Sequence, residues 1–140
     1  MNTDTKKVSV VLDTNILISS IGFGGKPRKI LNLALERKLQ VISSPILLAE
    51  LDDVISKKFP LLAESLKKIH KHLNKRLKIV NPKKSLHIVR DEPDNRVLEA
   101  ALQGKCQYIV TGDRDLLDIG TYGKIKIVTP NDFLTLFENN

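Results

Sequence analysis

A chain of 140 residues with 41% hydrophobic side chains can bury a core without covalent staples. Its single cysteine, Cys106, excludes an internal disulfide and fits a reducing, cytoplasmic setting, and no apolar run is long enough to span a bilayer. The net charge of +7 points to a polyanion partner, while an aromatic content of only 4% supplies little for stacking bases.

The opening segment "MNTDTKK" lacks the apolar region of a signal peptide. Val8 to Asp13 reads as a buried strand, from its β-branched content and its length. Three polar residues follow, Asp13, Thr14 and Asn15, and "ILISS" then returns to the core. Gly22, Gly24, Gly25 and Pro27 punctuate a loop. Residues 28–38 have helical spacing at Ile30, Leu31, Ala34 and Leu35, and "LQVIS", 39–43, is a second strand. Ser44 and Pro45 form a helix start that runs to about Lys57 and is broken by Phe59 and Pro60. A helix over 61–74 carries the stripe Leu62, Leu66, Ile69 and Leu73, and "LKIV", 77–80, is a third strand. "DEPDNRVLEAALQG" is a helix with Pro93 in its first turn and Gly104 just past its end. "QYIVT", 107–111, and "IKIVT", 125–129, are the fourth and fifth strands, and Pro130 opens a last helix ending near Phe137. Strands alternating with helices predict an α/β, Rossmann-like three-layer sandwich, with a central parallel sheet of about five strands. The whole chain, 1–140, is expected to form one domain with its core over about residues 8–137.

Ligands in such sheets bind beyond the carboxyl ends of the strands. The first strand ends at Asp13 and the fourth at "TGDRD", with Asp113 and Asp115; no GxGxxG or GxxxxGK[ST] follows either strand. On helix 45–57, Glu50 lies about 60° from Leu47, at the border of the Leu47, Leu51 and Val54 stripe. On helix 94–103, Asp94 shares the face of Val97 and Leu98, while Glu99 points elsewhere. Each acid has an ordinary structural reading: Asp13 as a turn or N-cap residue, Glu50 as a surface acid, Asp94 as a complement to a helix N-terminus, Asp113 as the start of a turn. Together, four carboxylates at one sheet edge repel unless a divalent cation holds them, and their oxygen chemistry suits Mg²⁺ or Mn²⁺, one ion or two. His70, His72 and His87 show no zinc-ligand spacing. Between Lys57 and Lys84 there are ten Lys or Arg and one acid, Glu64, so that this segment is +9 and the remainder −2.

"VVLDTNILISS", "SSPILLAELDDVI", "DEPDNRVLEAAL", "YIVTGDRDLL" and "IKIVTPNDFL", in this order, resemble the PIN domain, and most closely its branch of toxin components of toxin–antitoxin systems. The resemblance runs from about Val8 to Phe137. It implies a metal-dependent endoribonuclease with an acidic pocket carried by Asp13, Glu50, Asp94 and Asp113, and with Asn15, Thr111 and Asp115 at secondary positions. Asp91 is a second candidate beside Asp94, as a supporting group or as the helix cap. Thr14 and Asn15 would orient Asp13 or a bound water. RNA is the implied substrate, contacted by the loop "GFGGKPRK", with Lys26 and Arg28, and by Lys67, Lys68 and Lys71 on the outward face of helix 61–74. An antitoxin protein is implied by analogy, a homodimer is compatible with the chain, and no membrane partner is expected. Two alternatives stay open: a non-catalytic RNA-binding module of the same fold, and a phosphatase with an aspartyl nucleophile, which would want an acid where Asn15 stands.

Overall fold

The computed structural model describes residues 7–139; the N-terminal segment assessed above for a signal peptide lies outside them, except for Lys7. The elements follow in chain order: β1 (Val8–Leu12), α1 (Thr14–Gly22), α2 (Gly25–Leu35), β2 (Leu39–Ser43), α3 (Pro45–Lys58), α4 (Ala63–Leu73), a 3₁₀ turn (Asn74–Arg76), β3 (Leu77–Ile79), α5 (Glu92–Gln103), β4 (Tyr108–Val110), α6 (Arg114–Ile119), β5 (Thr121–Tyr122), β6 (Ile125–Val128) and α7 (Pro130–Glu138). The fold is α/β. Its six-stranded sheet has the order β3-β2-β1-β4-β6-β5 and is parallel except where β5 pairs antiparallel with β6. The sheet thus has one strand more than the five expected, because the two-residue β5 is too short to leave a periodic signal.

The apolar runs explain the layers. Because side chains alternate along a strand, Val10 and Leu12 of β1 enter one core with helices α1, α2, α3, α4 and α7, while Val11 enters another with α5 and α6. The register Val10↔Val41 on one side and Val10↔Tyr108 on the other places β1 in the middle. The chain leaves β1 toward β2 and β3, then returns past it to β4 and β6. Connections therefore reverse direction between β1 and β4, and the carboxyl ends of those two strands flank a crevice. Cys106 lies in the second core, and burial pushes its thiol up to about 12.

Several expectations are corrected. "ILISS" does return to the core, and it does so within a helix that was not assigned from the sequence, α1, whose Ile16, Leu17, Ile18, Ser20 and Ile21 are all buried. A helix buried on most sides has no polar face, so its 3.6-residue period is masked. α2 starts at Gly25, with Gly24 at φ 84° turning the chain into it. α4 buries Leu66, His70 and Leu73, with His70 Nδ1 at 3.1 Å from Asp52 Oδ1 on α3, while Leu62 and Ile69 of the expected stripe are exposed. Leu102 is exposed, whereas Glu99, expected to point away, is buried.

Candidate acidic site at the switch point

The turn after β1 is built by Asp13. Its backbone is extended (φ −68°, ψ 168°), and its Oδ1 accepts the Ile16 N–H at 2.9 Å, capping α1. Its Oδ2 accepts a hydrogen bond from the Thr111 hydroxyl just beyond β4. The same Thr111 oxygen accepts the Asp113 N–H at 2.9 Å, and Asp113 Oδ2 accepts from Leu116 N at 3.2 Å as the cap of α6. Thr111 is fully buried and ties the ends of the two central strands together. The ordinary cap reading of Asp13 and Asp113 is therefore true of their geometry, yet a cap uses only part of a carboxylate's acceptor capacity.

A pocket of about 160 Å³ opens at this point, and its polar wall includes Asp13, Asn15, Glu50, Asp91, Asp94 and Asp113. Glu50 is brought in by the face of α3 that also presents Val54, and its Oε1 accepts the Thr14 hydroxyl at 3.2 Å. Thr14 thus orients Glu50 rather than Asp13. Asp91 occupies the cap position of α5, but its side chain makes no capping bond, so its carboxylate is left to the pocket. Asp94 sits in the first turn of α5, buried, and its Oδ2 has no hydrogen-bond partner.

Electrostatics follow from this crowding. Burial, then a hydrogen bond with Asp113, then the charges of Asp113, Asp91 and Asp13 push Asp94 up to about 8. Asp13 is also raised, by burial above all, against the lowering bonds from Thr111 and Ile16. Glu50 is raised by burial, against the Thr14 bond, with Asp91, Asp13 and Asp53 adding repulsion.

The donors are all hard oxygens and include one buried carboxylate oxygen without a partner, which fits a small divalent cation of the Mg²⁺ or Mn²⁺ type. As the side chains stand, no three His, Cys, Asp or Glu among the described residues close on one point as a ligand set.

The other expected residues are distributed more widely. Asp115 stands off the pocket wall and faces Arg90 at 3.4 Å. Arg28 donates to the carbonyls of Ser20 and Ile21, and Lys26 bonds Asn131 Oδ1, so both are engaged within the fold. Lys67, Lys68 and Lys71 are exposed as expected; Lys67 reaches Ser56 Oγ and Lys68 pairs with Glu64 at 3.7 Å. Two residues were missed. Lys58 lines the pocket, and its signal was its spacing of eight from Glu50 and four from Val54, one face of one helix. Asn95, fully buried, accepts from Ile88 and Val89 N–H and donates to Val89 O, fixing the chain that leads into Asp91 and α5. Glu99 supports the same segment, accepting Leu86 N–H at 2.8 Å and pairing with Arg96 at 2.8 Å.

An open, mostly parallel sheet with a carboxylate-lined crevice at its switch point defines the class of α/β protein with an acidic pocket. The chain matches the family model of the PIN domain over residues 9–115, which include every acid of the pocket, and it belongs to that family. PIN domains are generally nucleases and generally use divalent metal ions. An uncharacterized protein of Methanocaldococcus jannaschii is 34% identical to it over 151 aligned positions, covering 94% of this chain and 93% of the relative. Among solved structures, VapBC2 from Rickettsia felis bound to a DNA fragment from their promoter contains a chain with a TM-score of 0.62 at 19% identity, covering 86% of this chain and 97% of that one, a likeness of fold. No helix among the described residues is long and apolar enough to cross a membrane.

Proposed function

We propose that this protein is a Mg²⁺- or Mn²⁺-dependent endoribonuclease, organised as one domain with its core over residues 8–137 and acting in the cytoplasm as the toxin of a toxin–antitoxin pair. The observation that carries the catalytic part is the gathering of Asp13, Glu50, Asp94 and Asp113 around one pocket, with Asp91 beside them and a buried oxygen of Asp94 left without a partner. When bound there, a divalent cation lowers the pKa of a water and neutralises charge developing on the phosphate. The protein's own part is positional. Ile16 N–H and the Thr111 hydroxyl hold Asp13, and Thr14 holds Glu50, so that these carboxylates need little reorganisation as charge builds. Lys58 on the pocket wall offers a cation to the RNA phosphate, and Asn15, exposed on the same wall, an amide to the water or the substrate. No protein nucleophile is required. The toxin assignment and its antitoxin partner rest on the motif resemblance, with the likeness of fold to VapBC2 in support.

The test is cleavage of single-stranded RNA and DNA in EDTA, Mg²⁺ and Mn²⁺. Metal-dependent internal cuts in RNA are expected, and Asp13→Asn or Asp113→Asn should slow them by at least about a hundredfold, roughly 2.7 kcal/mol of barrier. Full activity in EDTA, or an unchanged rate in both variants, refutes the reading. Induced expression of the parent should arrest host growth and that of Asp13→Asn should not; growth arrest by both would detach toxicity from the acidic pocket.

A further inference from the structure

The opposite end of the sheet has the opposite charge. Each of the five parallel strands begins within three residues of a cation: Lys7 before β1, Lys38 before β2, Arg76 before β3, Lys105 before β4 and Lys124 before β6. Under the C-terminus of α5 this basic edge closes into a cleft of about 430 Å³, larger than the acidic pocket. Its cations are Lys7, Lys78 and Lys105, it is also lined by Ser9 of β1, Gln40 of β2 and Gln107 just before β4, and no carboxylate lines it.

Three details make this more than a solvated lysine face. First, none of the three lysines forms an ion pair or side-chain hydrogen bond among the described residues, so no acid of the fold neutralises their ammonium groups. Second, the neutral polar groups are oriented. Gln107 Oε1 accepts Ser9 N–H at 2.6 Å, which commits its oxygen and leaves its amide NH₂ free to donate. Third, Lys105 holds a left-handed backbone (φ 52°) at the position after the α5 cap, where the N–H of Lys105 bonds Leu102 O and that of Cys106 bonds Ala101 O. Glycine is the usual residue there, because a side chain is disfavoured. The chain has its glycine one place earlier and carries a lysine at the strained position, with its side chain in the cleft. Those hydrogen bonds, with that of Gly104 N–H to Ala100 O, occupy three of the last four carbonyls of α5, which lessens the repulsion that its C-terminus offers an anion.

We propose that the cleft between Lys7, Lys78 and Lys105 binds a phosphate group, at the end of the sheet opposite the acidic pocket. The shared chemistry is a tetrahedral phosphate met by three ammonium groups and neutral donors; it reaches the cleft as a phosphodiester of bound RNA or as a small phosphate compound. The inference stands apart from the nuclease reading, since it uses no residue of the acidic pocket.

The experiment follows backbone amide resonances of the full chain in EDTA, titrated with inorganic phosphate, 5′-AMP and a ten-residue oligouridylate. Saturable shifts are expected at Ser9, Gln40, Lys105 and Gln107. Affinity should fall by at least about tenfold in K7Q/K78Q/K105Q, as expected for losing charge-assisted bonds. Lys105→Gly separates binding from structure: it relieves the strained backbone, so it should melt no lower than the parent while still losing affinity. Tighter binding of the oligonucleotide than of phosphate or AMP identifies RNA as the source, and the reverse order identifies a small phosphate; either supports the site. Shifts that fail to saturate, that centre on the acidic pocket, or that survive in both Lys105→Gly and the triple variant overturn it.

Discussion

Asp94 presents a buried, unpartnered oxygen to a pocket where Asp113, Asp91 and Asp13 press on it, and its folded-state pKa of about 8 stands well above the ordinary 3.8. A raised acid favours the native state only while it is protonated. Its contribution is complete below the unfolded value near 4 and is lost as pH rises from there through about 8. The raised Asp13 and Glu50 tilt stability the same way. In EDTA, Asp94→Asn should therefore melt above the parent at pH 8, and the gap should shrink steadily toward pH 4. Mg²⁺ bound only by the native pocket should restore the parent by about 2.7 kcal/mol at a hundredfold excess over its Kd, and should restore Asp94→Asn far less. Thermal unfolding of both proteins across pH, with and without Mg²⁺, checks this. A gap that does not change with pH would mean that Asp94 is not under electrostatic pressure.

At the scale of elements, α5 is the piece whose seating decides the site, because it delivers Asp91 and Asp94 at one end and closes the basic cleft at the other. Gly104 sets its distance from the sheet. A Cβ there would meet Ile42 Cδ1 at 2.7 Å and Cγ2 at 2.9 Å, against a side chain only 1% exposed. The backbone of Gly104 (φ −83°) is open to any residue, so the cost of a substitution is steric. Gly104→Ala gains up to about 1 kcal/mol from a less flexible unfolded chain. Overpacking should outweigh that, for a net loss of about 1–2 kcal/mol in urea unfolding. Ile42→Val removes the nearer methyl, so the loss from Gly104→Ala should be smaller in that background. Equal losses in both backgrounds would mean that the clash with Ile42 is not the cause. The caps act at the same scale: Thr111 joins the ends of β1 and β4, and Thr14 joins the start of α1 to α3, so the acids are held by junctions between elements rather than by any one of them.

For the whole molecule, the parallel sheet separates charge: carboxylates gather beyond the ends of β1 and β4, and lysines and arginines stand before the starts of the strands. The +9 segment from Lys57 to Lys84 divides between the two ends, with Lys58 at the acidic pocket, Lys78 in the basic cleft and Lys67, Lys68 and Lys71 on the exposed face of α4. On the proposed function, RNA has to pass an acidic rim to reach the pocket, so cations beside it should carry much of the encounter. The bonds of Lys67 to Ser56 and Lys68 to Glu64 are exposed and worth little, and do not withhold these lysines from phosphate. Replacing Lys67, Lys68 and Lys71 with Gln should flatten the salt dependence of RNA binding by about 0.7 in log–log slope for each phosphate that is no longer neutralised. A parent slope retained in that variant would assign the α4 lysines to solvent.

Some of this was legible in the residues alone. Short β-branched runs marked five strands because a buried parallel strand has no need of polar residues, and their alternation with helices fixed the fold class. Asp13 and Asp113 could be read as site candidates because they end such runs, and Glu50 and Asp94 because helical geometry puts them on inward faces. What stayed hidden depends on partners distant in the chain. α1 is buried by several helices at once and so shows no stripe. The burial of Glu99 and Asn95 becomes intelligible only when residues 86–89 fold back over α5. Thr111 was marked as a secondary position by the motif resemblance alone; its actual bond, from its hydroxyl to Asp13 98 residues away, exists only once β4 pairs beside β1. Local sequence determines which segments are strand or helix and which residue types end them, because those choices depend on neighbours within a turn or two. Strand order, and with it which acids share one pocket, is decided by long-range pairing and burial, and only the folded sheet expresses it.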